Sequence, residues 1–369
     1  MHASRLDRVH AAMEAAGVDV VLLSVGAELP WLTGYEAMPL ERLTMLVVRR
    51  GERARLVVPT LEVPRVVERP EVFTVHPWGE TDDPVELVAS LAGTPSSAAI
   101  GDRTWSRFLV ALQRRFGPST SWRTAGELLG PLRARKDDAE IDALRRAADA
   151  ADRVAAALQR GEIALVGRTE AEVSAELGRR LLAEGHQRVN FAIVASGPNA
   201  ASPHHEPGDR VIGRDEVVLC DFGGTMAAPG GAGYCSDITR CVHTGEVPPA
   251  FAELYAVLHE AQQSAVAAAR TGTPCEEVDA TARRIITEAG YGDLFVHRTG
   301  HGIGVEEHED PYIVAGNTAP LAAGHAFSVE PGIYVPGRWG ARLEDIVVAT
   351  DGGPLALNRA DHDLVVVDA

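Results

Sequence analysis

Apolar residues recur at helical spacing at the start of the chain, where Leu6, Val9 and Met13 form one stripe. The run VDVVLL that follows reads as a buried strand, and LTMLVVRR and ARLVVPT read as two more strands around a turn at 50–52. This alternation predicts a small α/β domain over residues 1–130. Gly130-Pro131 and the charge cluster RARKDDAE interrupt the pattern. A second domain is expected over 131–369. It opens with a long helix from near Asp137, whose Ile141, Leu144, Ala148, Ala151, Val154 and Leu158 share one face.

Two later helices carry matching start signals. Thr169-Glu170-Ala171-Glu172 is a capping box, in which the threonine and the second glutamate each satisfy the other's free amide, and that helix ends near Gly185. Thr273-Pro274-Cys275-Glu276 repeats the box with proline at the first helical position, ending at Gly290. Each helix precedes strand-like runs rich in Gly and His. The pairing suggests a duplicated α+β arrangement, helices covering one face of a curved antiparallel sheet.

Composition narrows the function classes. An apolar content of 46% over 369 residues suffices for two cores. A net charge of −17, a pI near 5.2 and the lack of a dense Lys/Arg run argue against nucleic-acid binding. The four cysteines form no CxxC pair, so neither a disulfide framework nor a zinc knuckle is expected. The opening MHASRLDRVHAAMEAAG reads as a charged amphipathic helix rather than a signal peptide. No apolar stretch reaches membrane-spanning length, so a cytoplasmic location away from the membrane is the expectation.

Chemistry concentrates in the second half. Asp221, Asp237, His301, Glu330 and Glu344 sit in VVLCDFGG, YCSDITRC, RTGHGIGV, FSVEPGIYV and ARLEDIVV, all strand-like or tight-turn contexts. Four carboxylates and one imidazole make a hard donor set suited to Mn, Co, Zn or Fe(II), and the excess of carboxylates favours two ions. Strand alternation puts Thr239 on the face of Asp237, and Arg342 on that of Glu344, so each ligand has a polar companion to orient it. The intervening FGGTMAAPGGAGYCS holds five glycines and reads as a hairpin turn that sets the two aspartates on neighbouring strands. Either aspartate alone reads as readily as a strand end beside a surface turn; the five together point to a site. Among the other histidines, His308 lies in a Gly-rich stretch able to fold back toward the ligands. His204 lies in the loop SGPNAASPHHEPG, where His205 is equally available by chemistry alone. His297 reads as a supporting or packing residue, and His76, His259 and His325 as structural or surface positions.

The segments SGPNAASPH, LCDFGG, YCSDITR, HRTGHGIGVEEHEDPYI and SVEPGIYVPGRWGARLED resemble the pita-bread metallopeptidases over residues 131–369. That family holds methionine aminopeptidase, Xaa-Pro aminopeptidase, prolidase and the metal-free creatinase. DVVLLSVGAELPWLTGYEA resembles the creatinase-type N-terminal domain. The resemblance implies an α+β pita-bread catalytic domain, a curved antiparallel sheet covered by helices, behind a smaller α/β domain. It implies that Asp221 chelates one ion, that Asp237 and Glu344 bridge both, and that His301 and Glu330 complete the second. His204 and His308 would contact the substrate and stabilise the intermediate, with Arg342 on the substrate-binding side and Glu330 as general base. The implied activity is that of a metal-dependent exopeptidase, a Xaa-Pro dipeptidase or aminopeptidase. It would hydrolyse the bond between an N-terminal residue and proline in short peptides, with hydroxide held by two cations, manganese first. A homodimer is also implied. Filled ligand positions argue against the metal-free relatives. The rivals are a broader dipeptidase or small-amide hydrolase on the same scaffold, and a binding protein without catalysis. One departure stands out: the two aspartates are sixteen residues apart, a longer turn than relatives use. The extra residues around Pro229–Ala232 are expected at an edge of the metal site, where they would restrict the pocket to short substrates.

Overall fold

The computed structural model describes residues 1–367 of the 369. Its backbone contacts divide it into two units. The first is Met1–Arg133 together with Ala228–Ala232; the second is the rest of the described chain from Ala134 onward.

The first unit is built on a six-stranded sheet in the order Phe73–Trp78, Ala54–Pro59, Met45–Arg49, Val20–Leu23, Ser97–Ile100, Ser121–Thr124. The three central strands pair antiparallel and the outer pairings are parallel. Val and Leu runs buried on both faces account for the strands, since β-branched side chains fit a pleated surface that is covered on each side. The helices Pro84–Ala92 and Ser106–Phe116 pack on the sheet through Val88, Ala92, Phe108 and Leu112. Asp83 caps the first of these by accepting from the amides of Val85 and Glu86.

The segment Ala228–Ala232 corrects one expectation. It belongs to this unit and lines no part of the ligand cavity described below. The Gly230 carbonyl accepts from Arg69 Nη2 at 2.8 Å and lies 3.1 Å from His2 Nε2, while Ala232 is buried. Gly34 (φ 73°) and Gly231 (φ 97°) sit back to back: a Cβ on Gly34 would overlap the Gly230 carbonyl, and one on Gly231 would press on the Gly34 carbonyl. Only glycine fits both the left-handed backbone and the close approach. The glycines are there for packing, not to keep a turn loose in solvent.

In the second unit the same plan occurs twice. Helices Asp138–Gln159 and Glu170–Ala183 pack on a sheet containing His186–Ser196, Glu216–Ala227 and Ile238–Thr244. Helices Pro249–Ala268 and Cys275–Glu288 pack on a sheet ordered Glu309–Ile313, Gly300–Gly302, Ala326–Val329, Asp345–Thr350, Gly353–Ala356. The first pair of helices has its capping boxes, Asp137 with Glu140 and Thr169 with Glu172. The box expected at Thr273 does not form. Helix Cys275–Glu288 is capped by Pro274 with no side-chain bond, because the Cys275 and Glu276 amides donate to the carbonyls of Ala319 and Asn317. A neighbouring backbone segment satisfies the first turn, so the threonine hydroxyl has no orphan amide to serve.

Strand Glu216–Ala227 divides two cores by side-chain parity. Val218, Cys220 and Phe222 face one core, and Val217 and Leu219 face the other. Asp221 continues the second row, directly across from Thr239 on the antiparallel neighbour. A single bridge, Thr239 to Glu344, then joins the two sheets, and the Glu344 amide donates to the Thr239 carbonyl. Arg240 locks this joint. It is fully buried and donates to the carbonyls of Thr239 (2.9 Å), Glu344 (2.7 Å), Ala360 (2.9 Å) and Asp361 (2.8 Å) and to Asp345 Oδ1 (2.8 Å). Asp345 accepts also from Gln262 and His362.

Candidate metal centre

The joint between the sheets is where the chemistry gathers. Asp221, Asp237, His301, Glu330 and Glu344 all line one cavity of about 520 Å³, with His204, His297, His308 and Arg342. Asp237, His301 and Glu344 each offer a ligand atom within 4.8 Å of the others. His301 Nε2 lies 3.2 Å from Glu330 Oε1 and 3.8 Å from Asp237 Oδ2. The strand carrying His301 reaches this point because Gly300 and Gly302 flank it; a Cβ on either would overlap the carbonyl of Ser328 or Asp310.

Thr239 and Arg342 do orient carboxylates of the cavity, but not the ones expected: each reaches across to another segment instead of serving Asp237 or Glu344 two residues away. Thr239 Oγ1 donates to Glu344 Oε2 at 2.7 Å, and Arg342 Nη2 donates to Asp221 Oδ2 at 2.5 Å. Arg342 reaches Thr239 Oγ1, the Tyr334 hydroxyl and the Pro203 carbonyl with its remaining donors. Its guanidinium is therefore committed to holding Asp221 and the surrounding frame, in addition to lining the cavity. The imidazoles also separate. His204 faces the cavity, whereas His205 turns away to Glu170 at 2.7 Å. His308 packs against His301 with 3.8 Å between ring centroids and the rings tilted by 41°, and its pKa is pushed down to about 4 by desolvation, then by His301 and Arg298. His297 pairs with the Tyr334 hydroxyl at 2.8 Å.

Sequence reasoning missed several walls of the cavity: Phe191, Ile193, Arg298 and Glu307, and the Tyr334 hydroxyl that ties His297 to Arg342. Ile193 reaches the cavity because it pairs in register with Asp221 on the antiparallel neighbour, a register the sequence does not give. Arg298 stacks over Tyr312 at 4.4 Å and donates no hydrogen bond among the described residues.

The electrostatics are those of a site built for cations. Burial, followed by the neighbouring carboxylates, holds Glu344 and Asp237 well above the usual carboxylate range. Burial also raises Asp221, against the pull of Arg342. Glu330 goes the other way, to about 2: burial opposes this, but the hydrogen bond and charge of His301 and the charge of Arg342 outweigh it. Asp221 Oδ1 and Asp237 Oδ1 are buried with no hydrogen-bond partner among the described residues. Orphaned buried carboxylate oxygens are costly unless a cation takes them, so the donor set fits divalent metal.

A two-sheet α+β unit with this carboxylate-rich centre defines a metal-dependent hydrolase of the pita-bread type. The chain belongs to metallopeptidase family M24, which it matches over residues 142–351, and residues 5–135 match the creatinase/prolidase N-terminal domain. It is 42% identical to a protein of Mycobacterium tuberculosis named probable dipeptidase PepE, covering all of this chain and 97% of that one. Identity to a Lactobacillus helveticus protein named Xaa-Pro dipeptidase is 34%, over 98% of each chain. Among solved structures, a dipeptidase from Pyrococcus horikoshii superposes with a TM-score of 0.91 at 33% identity, covering 98% of this chain and 100% of that one. In the described residues no helix is long and apolar enough to cross a membrane.

Proposed function

We propose that the protein is a Xaa-Pro dipeptidase that works with two divalent cations, manganese first among them. The observation that carries this reading is the convergence of all five ligand positions on one cavity whose wall also holds His204 and His308. Asp221, Asp237, His301, Glu330 and Glu344 would hold the metal. When bound, such cations supply Lewis acidity and acidify water near neutral pH.

The chain's own groups do the rest. Glu330 accepts from Ser328 Oγ at 3.1 Å, which orients its carboxylate to take a proton from the attacking water and pass it to the leaving nitrogen. His204 and His308 stand on the cavity wall to donate N–H to the carbonyl oxygen as it gains charge. A proline nitrogen carries no N–H, so the site must grip its substrate elsewhere. Phe191 and Ile193 give an apolar wall for side chain or ring, and the guanidinium of Arg298, with its donors unused, suits the terminal carboxylate of a dipeptide.

A broader dipeptidase is the second reading, favoured by the relatives named dipeptidase without reference to proline. The reading also takes the enzyme as a cytoplasmic homodimer, for which sedimentation velocity is the check on assembly. The deciding experiment is hydrolysis of Ala-Pro, Ala-Pro-Ala and Ala-Ala by enzyme reconstituted with Mn(II) or Co(II). Cleavage of Ala-Pro alone supports the proposal, and equal cleavage of Ala-Ala would replace it with the broader activity. No hydrolysis of any of the three would remove both.

A further inference from the structure

Glu170 is a carboxylate with no exposure to solvent, on the first turn of helix Glu170–Ala183, and the metal centre makes no use of it. The helix does not need it as a cap, because Thr169 and Glu172 already form the capping box. Its oxygens point instead into the loop that carries His204. Oε1 accepts from the Ser196 amide and hydroxyl, both at 2.7 Å, and Asn199 Nδ2 donates to both oxygens at 3.1 Å. His205 Nε2 donates to Oε2 at 2.7 Å. Hydrogen bonds to a buried charge are among the stronger ones available, and here several converge on one group.

His204 is thereby fixed from both sides. The carbonyl of Pro203, the residue before it, accepts from Arg342 Nη1 at 3.3 Å; His205, the residue after it, is tied to Glu170. The turn Gly197–Ala201 is wedged as well, since a Cβ on Gly340 would overlap the Ala200 carbonyl. His204 itself has no hydrogen bond among the described residues, so its imidazole is free for a ligand while its backbone is held. Only a short span of chain separates Ser196, at the loop's root, from His205, and Glu170 grips both ends. Holding an otherwise unbonded side chain in place requires restraining its backbone, and a catalytic group displaced by about 1 Å can lose about 10²-fold in rate.

We infer that Glu170, through His205, Asn199 and Ser196, is a positioning residue that sets His204 against the scissile carbonyl. It acts on the chemical step and not on the metal. This rests on the reading of His204 as a substrate-contacting group.

The test is a double-mutant cycle on metal-reconstituted enzyme with Ala-Pro, using Glu170→Gln, His204→Ala and the pair together. Glu170→Gln is expected to lower kcat about tenfold or more, with metal content unchanged. In the His204→Ala background the same substitution should cost less than about twofold, because residues acting through one group are not additive. An equal loss in both backgrounds would make Glu170 a general structural support and overturn the inference, as would no loss in either. If Glu170→Gln does not fold, His205→Ala replaces it, leaving Glu170 with Ser196 and Asn199. A readout independent of turnover accompanies the cycle: amide exchange over residues 197–206 should quicken in either variant, while strands Glu216–Ala227 and Ile238–Thr244 stay protected. Exchange unchanged in that loop would refute the inference even if the substrate assignment itself proved wrong. Full activity in His204→Ala would also refute it, and would leave the metallopeptidase assignment standing.

Discussion

Replacing Arg240 with methionine tests whether the joint between the two sheets carries the metal site. The side chain is fully buried, so the substitution strands Asp345 and several carbonyls in a place water does not reach. Removing one partner of a buried ion pair costs about 3–5 kcal/mol. Asp345 keeps Gln262 and His362, which sets the charge part toward the lower end of that range. The Glu344 carbonyl loses its bond to the guanidinium, adding about 1–3 kcal/mol for an unsatisfied buried acceptor. The Thr239 carbonyl is less affected because the Glu344 amide also reaches it. The expected loss is therefore on the order of 4 kcal/mol or more. It is read by urea unfolding with a chelator present, so that metal binding does not mask the difference. The double variant Arg240→Met with Asp345→Asn removes the uncompensated charge and should recover a large part of the loss. With metal restored, Arg240→Met should also release its ions to a chelator faster than wild type, because Thr239 and Glu344 are no longer clamped together. A single variant within about 1 kcal/mol of wild type, or a double variant no more stable than the single one, would refute this reasoning.

Three further outcomes are expected. Glu344→Ala removes a group that Thr239 holds in the centre of the site, and elemental analysis should show loss of stably bound metal; wild-type content at wild-type affinity would contradict the ligand assignment. His308→Ala should lower kcat by a factor on the order of 10²–10³ with metal retained, as for loss of one oxyanion donor, and parallel loss of metal would make it a ligand or folding residue. Arg298→Gln should raise KM for Ala-Pro far more than for Ala-Pro amide, whose end carries no charge; equal effects on both would show that Arg298 does not hold a carboxylate.

How far the sequence could be read depends on how local the determining signal is. The opening helix, strand Val20–Leu23 and the strands Met45–Arg49 and Ala54–Pro59 were visible because hydrophobic period and turn residues lie within one short window. The five candidate ligand residues do gather on one cavity, but strand parity misassigned their companions: Thr239 holds Glu344 and Arg342 holds Asp221, pairings made across segments that a two-residue spacing does not reveal. Thr273 misled because its local pattern matched a box, while the amides it would have served are met by residues 317–319. His204 and His205 could not be told apart in the sequence, and the distinguishing group, Glu170, lies far away in the chain. Arg240 stood in the quoted YCSDITR without a role for the same reason: its partners at Glu344, Asp345, Ala360 and Asp361 come from more than a hundred residues later.

The packing of Ala228–Ala232 bears on how the protein is made. The first unit is discontinuous along the chain: its last piece follows Arg133 only after the ribosome has added the residues up to Ala232. Until then His2 and Arg69 lack the Gly230 carbonyl, and the space at Gly34 stays unfilled. At about 5–20 residues per second, that is a wait of roughly 5–20 s between synthesis of the first segment and arrival of the second. A leading unit that can finish only when a later part of the chain emerges makes the order of translation part of the folding problem. It also means that a fragment ending at Arg133 is an incomplete body, however natural that boundary looks in the primary structure.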